Sequence, residues 1–181
     1  MKKIVTLVVV GLLITEGGFA QLKKKAGRQG LKVRHSLGVK SFDIGGGISG
    51  YGIVGTANFS QFLRDNVFYK IGGGYEFKAS TTNTTKYSSM FGDVLVGYTL
   101  LDKGTLFVNG LGGITGAIDN LTGIQTDKNI KGGAFGGVIG GEIECYFANN
   151  IVFAITGTQR VMLTKENSDR WYLTAGLRFK L

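Results

Sequence analysis

The chain has 181 residues, 43% hydrophobic and only 18% charged, with a formal charge of +9, 31 glycines, no proline, one cysteine and one histidine. That length suits a single domain; a lone cysteine excludes an internal disulfide, and one cysteine with one histidine is too few for a Cys/His zinc site. No segment approaches 18 consecutive apolar residues, so no helix is expected to cross a membrane.

Residues Met1–Ala20 read as a cleaved signal peptide. Lys2 and Lys3 form its positive start, Ile4–Ile14 its apolar run, and Gly18-Phe19-Ala20 a small-x-small cleavage site before Gln21. The apolar run is too short to remain as a spanning helix. Residues 21–29 carry Lys23, Lys24, Lys25 and Arg28 with little apolar content, which predicts a basic periplasmic arm that docks on an acidic partner or on the cell-wall layer, the alternative being a merely solvated arm.

From Gly30 onward the pattern has period two, the signature of strands. The first strand is expected over 30–42, with Leu31, Val33, His35, Leu37 and Val39 on one face and Lys32, Arg34, Ser36 and Lys40 on the other. A glycine-rich loop is expected over 43–50. A second strand follows over 51–63 and a third over 67–80, where Val67, Tyr69, Ile71, Tyr75 and Phe77 oppose Lys70, Glu76 and Lys78. The fourth, 86–101, sets Met90, Val94, Val96 and Tyr98 against Asp93 and ends in a tight hairpin at Gly104. The fifth, 105–117, is apolar in both phases, which leaves its facing open. Residues 118–130 are expected as the longest loop, with Asp119 and Asp127 solvated there rather than binding calcium. The sixth strand spans 131–147, with Glu142 and Glu144 opposite Ile139, Ile143 and Cys145; the seventh spans 151–162.

The last strand alternates strictly through Trp171, Leu173, Ala175, Leu177, Phe179 and Leu181. A strand that crosses a bilayer needs about 9–11 residues, against about five or six in ordinary globular sheets. Within it Thr174, Gly176, Phe179 and Leu181 have the polar-x-Gly-x-x-aromatic-x-apolar spacing of a barrel insertion signal. Eight strands joined alternately by long and short connections predict an all-β fold, an eight-stranded antiparallel up-and-down transmembrane barrel over 30–181 in the outer membrane of a Gram-negative bacterium. A soluble up-and-down barrel would turn its apolar face inward. Here the apolar faces carry Tyr51, Tyr69, Tyr75, Tyr98 and Trp171 towards the strand ends, while the opposite faces hold glycine and isolated charges.

Those charges predict a filled, non-conducting lumen. Arg34, Lys70 and Arg178 are expected at one depth in the periplasmic half, neutralised by Glu142, with Asp93 nearer the middle. No constellation carries catalysis, a cofactor or a metal. Gly45–Gly50 matches G-x-G-x-x-G without a following helix. His35 and Ser36 are adjacent on a strand, so they point to opposite faces and cannot form a nucleophile–base pair. His35 is expected half-buried at the membrane interface, and Cys145 acts as a small hydrophobe. The positive charges fall singly along strands rather than in a patch, so no direct nucleic-acid site is expected, nor a small-molecule substrate.

The opening Gly30-Leu31-Lys32-Val33, the short hairpin at Arg64–Asn66, Asn149-Asn150-Ile151-Val152-Phe153 leading to Gln159-Arg160-Val161, and the ending Ala175-Gly176-Leu177-Arg178-Phe179 give the chain a family likeness. It resembles the TraO family, small outer-membrane barrels encoded by conjugative transposons of Bacteroidetes, although it closes on Lys180-Leu181 where an aromatic end is more usual. The resemblance implies a non-enzymatic component of a conjugative, type IV secretion-like apparatus, with outer-membrane lipid and other apparatus proteins as its partners. The alternative is a stand-alone small barrel for envelope stability, adhesion or lipid contact.

Overall fold

The computed structural model describes His35, residues 37–78, 86–123, 126–163 and 169–181; for Lys86 and residues 121–123 and 126–131 it describes the backbone alone. The expected signal peptide, the expected basic arm with Lys23, Lys24, Lys25 and Arg28, and Arg34 lie outside the described residues.

Eight strands follow one another, β1 (Lys40–Ser49), β2 (Ile53–Arg64), β3 (Val67–Lys78), β4 (Lys86–Asp102), β5 (Leu106–Gly123), β6 (Thr126–Tyr146), β7 (Ile151–Met162) and β8 (Asp169–Lys180). Each pairs antiparallel with its sequence neighbour, and β1 pairs with β8 to close the barrel. Closure leaves no open edge among the paired strands, which is what a sheet surrounded by hydrocarbon requires. The tight turns after β2 and β4 and the Phe147–Asn150 turn lie at the end where β1 begins and β8 finishes. In the β4–β5 turn Gly104 takes φ +77°, its N–H donating to Asp102 Oδ1 at 2.9 Å. A bulge between Thr99 and Leu101 turns both Leu100 and Leu101 outward.

The alternation places apolar side chains outside. Phe59, Phe42 and Phe179 stand side by side across β2, β1 and β8 near one rim, and Tyr75, Phe77, Phe135 and Trp171 stand exposed near the other. Two such aromatic girdles around an aliphatic band of Ile44, Ile71, Val94, Ile114, Ile139 and Ile155 match the outer wall of a membrane barrel. β5, whose facing its sequence left open, turns Phe107, Asn109, Leu111, Thr115 and Ala117 inward and Ile114 and Ile118 outward.

Three expectations are corrected. The glycine-rich stretch 43–50 is not a loop but the body of β1. Its glycines serve the crowded interior: a Cβ at Gly47 would stand 2.0 Å from the carbonyl oxygen of Leu173. The start of the first strand also shifts. Gly38 adopts φ +82°, a left-handed turn that breaks the alternation, so Val39 packs inward and Lys40 faces out, the reverse of the phase read from sequence. Finally, residues 118–123 and 126–130 are paired strand rather than the longest loop, since β5 and β6 run on together well past Gly136↔Met162, the last pair of β6 with β7. Their sequence mixes polar residues with Ile118, Leu121 and Ile130 at no period of two, so it reads as a loop.

Candidate functional site

The lumen is filled by two apolar clusters and three polar ones. Phe62, Phe68, Leu95, Leu111 and Val138 pack together towards the β1-start end, and Val54, Phe91, Ala117, Met162 and Tyr172 towards the other. Aromatic rings lie against inner glycines: the Phe68 ring occupies the place a side chain at Gly97 would take, and the Phe91 ring that of Gly74.

The lower polar cluster centres on Arg178 of β8. Its Nη2 donates to Asp43 Oδ2 at 2.8 Å and to both oxygens of Glu142 at 2.9 Å, and its Nη1 to Glu144 Oε1 at 2.5 Å. Lys70 Nζ reaches Glu142 Oε2 at 2.7 Å and Asp43 Oδ2 at 3.0 Å. Register supplies the remaining donors. Glu142 sits between Asn109 on β5 and Thr156 on β7, and the Thr156 hydroxyl donates to it at 3.0 Å. Asn109 Nδ2 donates to Glu144 Oε1 at 2.7 Å. All five charged groups are buried, and shared hydrogen bonding is what permits charges to stay ionised away from bulk water. A cavity of about 20 Å³ bordered by Asp43, Lys70, Thr56, Thr156 and Thr174 has room for roughly one or two waters.

Further up, Asp93 does not join this cluster. It binds Arg160, whose Nη2 donates to Asp93 Oδ2 at 2.6 Å while the guanidinium lies 3.9 Å from the ring centres of both Phe91 and Tyr172. Cation–π contact from two sides suits a desolvated guanidinium. Above it, Arg170 makes a two-pronged pair with Asp119 and donates to Ser89, and Glu76 accepts from the hydroxyls of Ser49 and Tyr172. Asp119 is therefore a strand residue held by an arginine, not a solvated loop aspartate.

Of the charged residues singled out from sequence, Lys70, Glu142 and Arg178 meet in one cluster and Asp93 stands in another; Arg34 lies outside the described residues. Sequence reasoning missed Asp43, Glu144, Arg160 and Arg170. Alternation in the sixth strand already set Glu144 opposite the apolar face, but which strand lies opposite which across a lumen is not written in any local pattern. Asp43 was hidden by the loop reading of β1. His35 is likewise corrected: it is 5% exposed inside the lumen rather than half-buried at the membrane interface. Of the terminal-signal residues, Thr174 and Gly176 face the lumen, while Phe179 and Leu181 face outward.

The same architecture recurs in solved structures. The N-terminal β-barrel domain of Pseudomonas aeruginosa OprF superposes with a TM-score of 0.62 at 16% identity, covering 80% of this chain and 98% of that one. A major outer membrane protein from Thermus thermophilus gives 0.63 at 10% identity, over 79% of this chain and 98% of that one. Neisserial surface protein A gives 0.59 at 10% identity, over 79% and 96%. The fold is that of an outer-membrane β-barrel. At such identities the likeness is one of fold alone, and no family model and no curated protein matches the sequence. For an outer-membrane barrel of eight strands, a lumen closed by side chains is the expected packing. Among the described residues no group of three or more His, Cys, Asp or Glu could hold a metal ion.

Proposed function

We propose that this barrel is a non-enzymatic outer-membrane component of a conjugative transfer apparatus, anchored in lipid by its wall and joined to its partners through the basic segment that precedes it. The fold supports the membrane half of this reading. The observation that carries the other half is the series of segments resembling the TraO family, from Gly30-Leu31-Lys32-Val33 to the Ala175–Phe179 ending, together with Lys23, Lys24, Lys25 and Arg28 ahead of the barrel. A lumen crossed by ion pairs favours a scaffold over a conduit. Replacing the four basic residues with glutamine is expected to leave the barrel folded while lowering transfer frequency and co-purification of apparatus proteins; unchanged transfer would assign the arm to mere solvation. Neighbouring transfer genes would favour this reading over a stand-alone envelope barrel.

Delivery to the outer membrane should depend on the outward apolar end of β8. Phe179→Ala combined with Leu181→Ala removes one member of the Phe59–Phe42–Phe179 row and the apolar residue that follows it. The expected result is a sharp fall in the heat-modifiable, membrane-inserted fraction, measured by gel mobility of outer-membrane preparations. Insertion at the wild-type level would remove these residues from the signal.

A further inference from the structure

Between the two aromatic girdles the outward side chains of the described residues are apolar, with one exception. Gln159 of β7 lies in phase with the exposed Ile155 and Val161 and opposite Ile139 and Trp171, which also face outward. Opposed residues of neighbouring strands share a face, so its amide points into lipid. It stands four residues below Leu163, whose N–H donates to the carbonyl of the girdle residue Phe135 at 2.9 Å. That is about 13 Å of strand, further than a glutamine side chain spans. No hydrogen bond joins Gln159 to any described residue. An amide left unpaired in hydrocarbon is costly.

The wall around it is smooth. Gly141 and Gly157 oppose one another just below it in the outward phase, and Gly137 opposes Val161 just above. A Cβ at Gly157 would meet nothing within 4 Å, and at Gly141 and Gly137 only ordinary contacts at 3.6 and 3.9 Å. On the inner face of the same strand a Cβ at Gly136 or Gly140 would stand 2.1 or 2.3 Å from a carbonyl oxygen of β7. Packing within the barrel thus requires glycine at the inner positions and not at these outer three.

We propose that the outer wall of β6 and β7 around Gln159 is a pairing surface for a second copy of this barrel in the same membrane. Acyl chains offer no hydrogen-bonding group and headgroups lie beyond the girdles, so lipid leaves the amide unsatisfied. A primary amide carries both donors and an acceptor, which makes it complementary to itself. Two copies related by a two-fold axis along the membrane normal set Gln159 against Gln159, each Nε2 donating to the other's Oε1. That axis keeps both barrels inserted in one direction and closes the pair through a single self-complementary patch. The floor of Gly137, Gly141 and Gly157 lets the two walls approach closely, as small residues do between transmembrane helices, where polar side chains likewise join the segments. Ile139 and Ile155, both exposed, flank the amide and close the contact around it. Such pairing serves a transfer apparatus and a stand-alone envelope barrel alike, so it does not rest on the choice between them.

Sedimentation equilibrium of the purified protein in density-matched detergent tests this. The wild type is expected to show a monomer–dimer equilibrium. Gln159→Leu should keep the heat-modifiable gel mobility of a folded barrel and weaken self-association roughly tenfold, the loss of two hydrogen bonds of the strength found between transmembrane helices. Gly157→Leu keeps the amide but raises the floor beside it, and should weaken association at least as much. A second measurement is independent of both variants: in phospholipid vesicles and a Cys145→Ser background, Gln159→Cys should form a disulfide-linked dimer on mild oxidation. Ile71→Cys, outward on β3 across the barrel from β7, should not. A wild type that stays monomeric at all concentrations overturns the proposal. So does undiminished association of Gln159→Leu, or cross-linking through Ile71→Cys as readily as through Gln159→Cys.

Discussion

Replacing Glu142 with alanine is expected to lower the unfolding free energy of the barrel in detergent by roughly 3–5 kcal/mol, the usual cost of removing one side of a buried ion pair. Glu142 holds both Lys70 and Arg178, at 2.7 and 2.9 Å, and is itself 1% exposed. Without it the two cations keep Asp43 and, for Arg178, Glu144, so the loss should be large without abolishing folding. Glutamine at the same position keeps acceptor geometry for one partner and is expected to fall between. A melting temperature unchanged by Glu142→Ala would show that the cluster contributes nothing to stability. The intact barrel should pass no stable single-channel current in planar bilayers, and a steady conductance would refute a filled lumen.

Two adjacent glycines should respond in opposite ways to the same substitution. A Cβ at Gly113, which faces inward, would stand 2.1 Å from the carbonyl oxygen of Val94 and 2.9 Å from the Leu95 Cα, whereas one at Gly112, which faces lipid, meets nothing within 4 Å. The obstacle at Gly113 is the backbone of the neighbouring strand, which cannot swing aside as a side chain can. Gly113→Ala is therefore expected to cost about 1–3 kcal/mol, the range for overpacking. Gly112→Ala should be neutral or stabilising by up to roughly 1 kcal/mol, because alanine loses less backbone freedom on folding. Detergent-phase thermal unfolding of both variants checks this, and equal effects would mean that the inner glycines are not there for packing.

The eight strands and the closed antiparallel barrel were legible because membrane strands are long and period two repeats cleanly in β3, β4, β6 and β8. Legibility failed where glycine carried two meanings. In Gly45-Gly46-Gly47 it reads as a turn, but at Gly45 and Gly47 it marks close approach of neighbouring strands in a narrow barrel. It also failed in the outer part of the β5–β6 hairpin, where polar residues and Ile118, Leu121 and Ile130 keep no period of two. Facing within β3, β4, β6 and β8 predicted that Lys70, Asp93, Glu142 and Arg178 enter the lumen, but not their partners. Asp43 pairs with Arg178 across the closing seam and Asp93 with Arg160 across the barrel, relations fixed by register and closure rather than by nearby sequence. The solitary His35 could not be placed from alternation because Gly38 reverses the phase between it and β1.

The seam between β1 and β8 has a consequence in time as well as in structure. Asp43 and Arg178 are opposed residues on the two strands that meet last, 135 positions apart in the chain. Contacts so remote in sequence form late, since the entropy of closing the loop must be met before they return anything. Until the seam shuts, Arg178 has no Asp43, and Lys70 has half of its carboxylate partners. Ion pairing therefore arrives together with the final row of backbone hydrogen bonds, as one event. Run backwards, the same coupling means that prising β1 from β8 breaks both at once, so the junction that is slowest to make is also among the hardest to reopen.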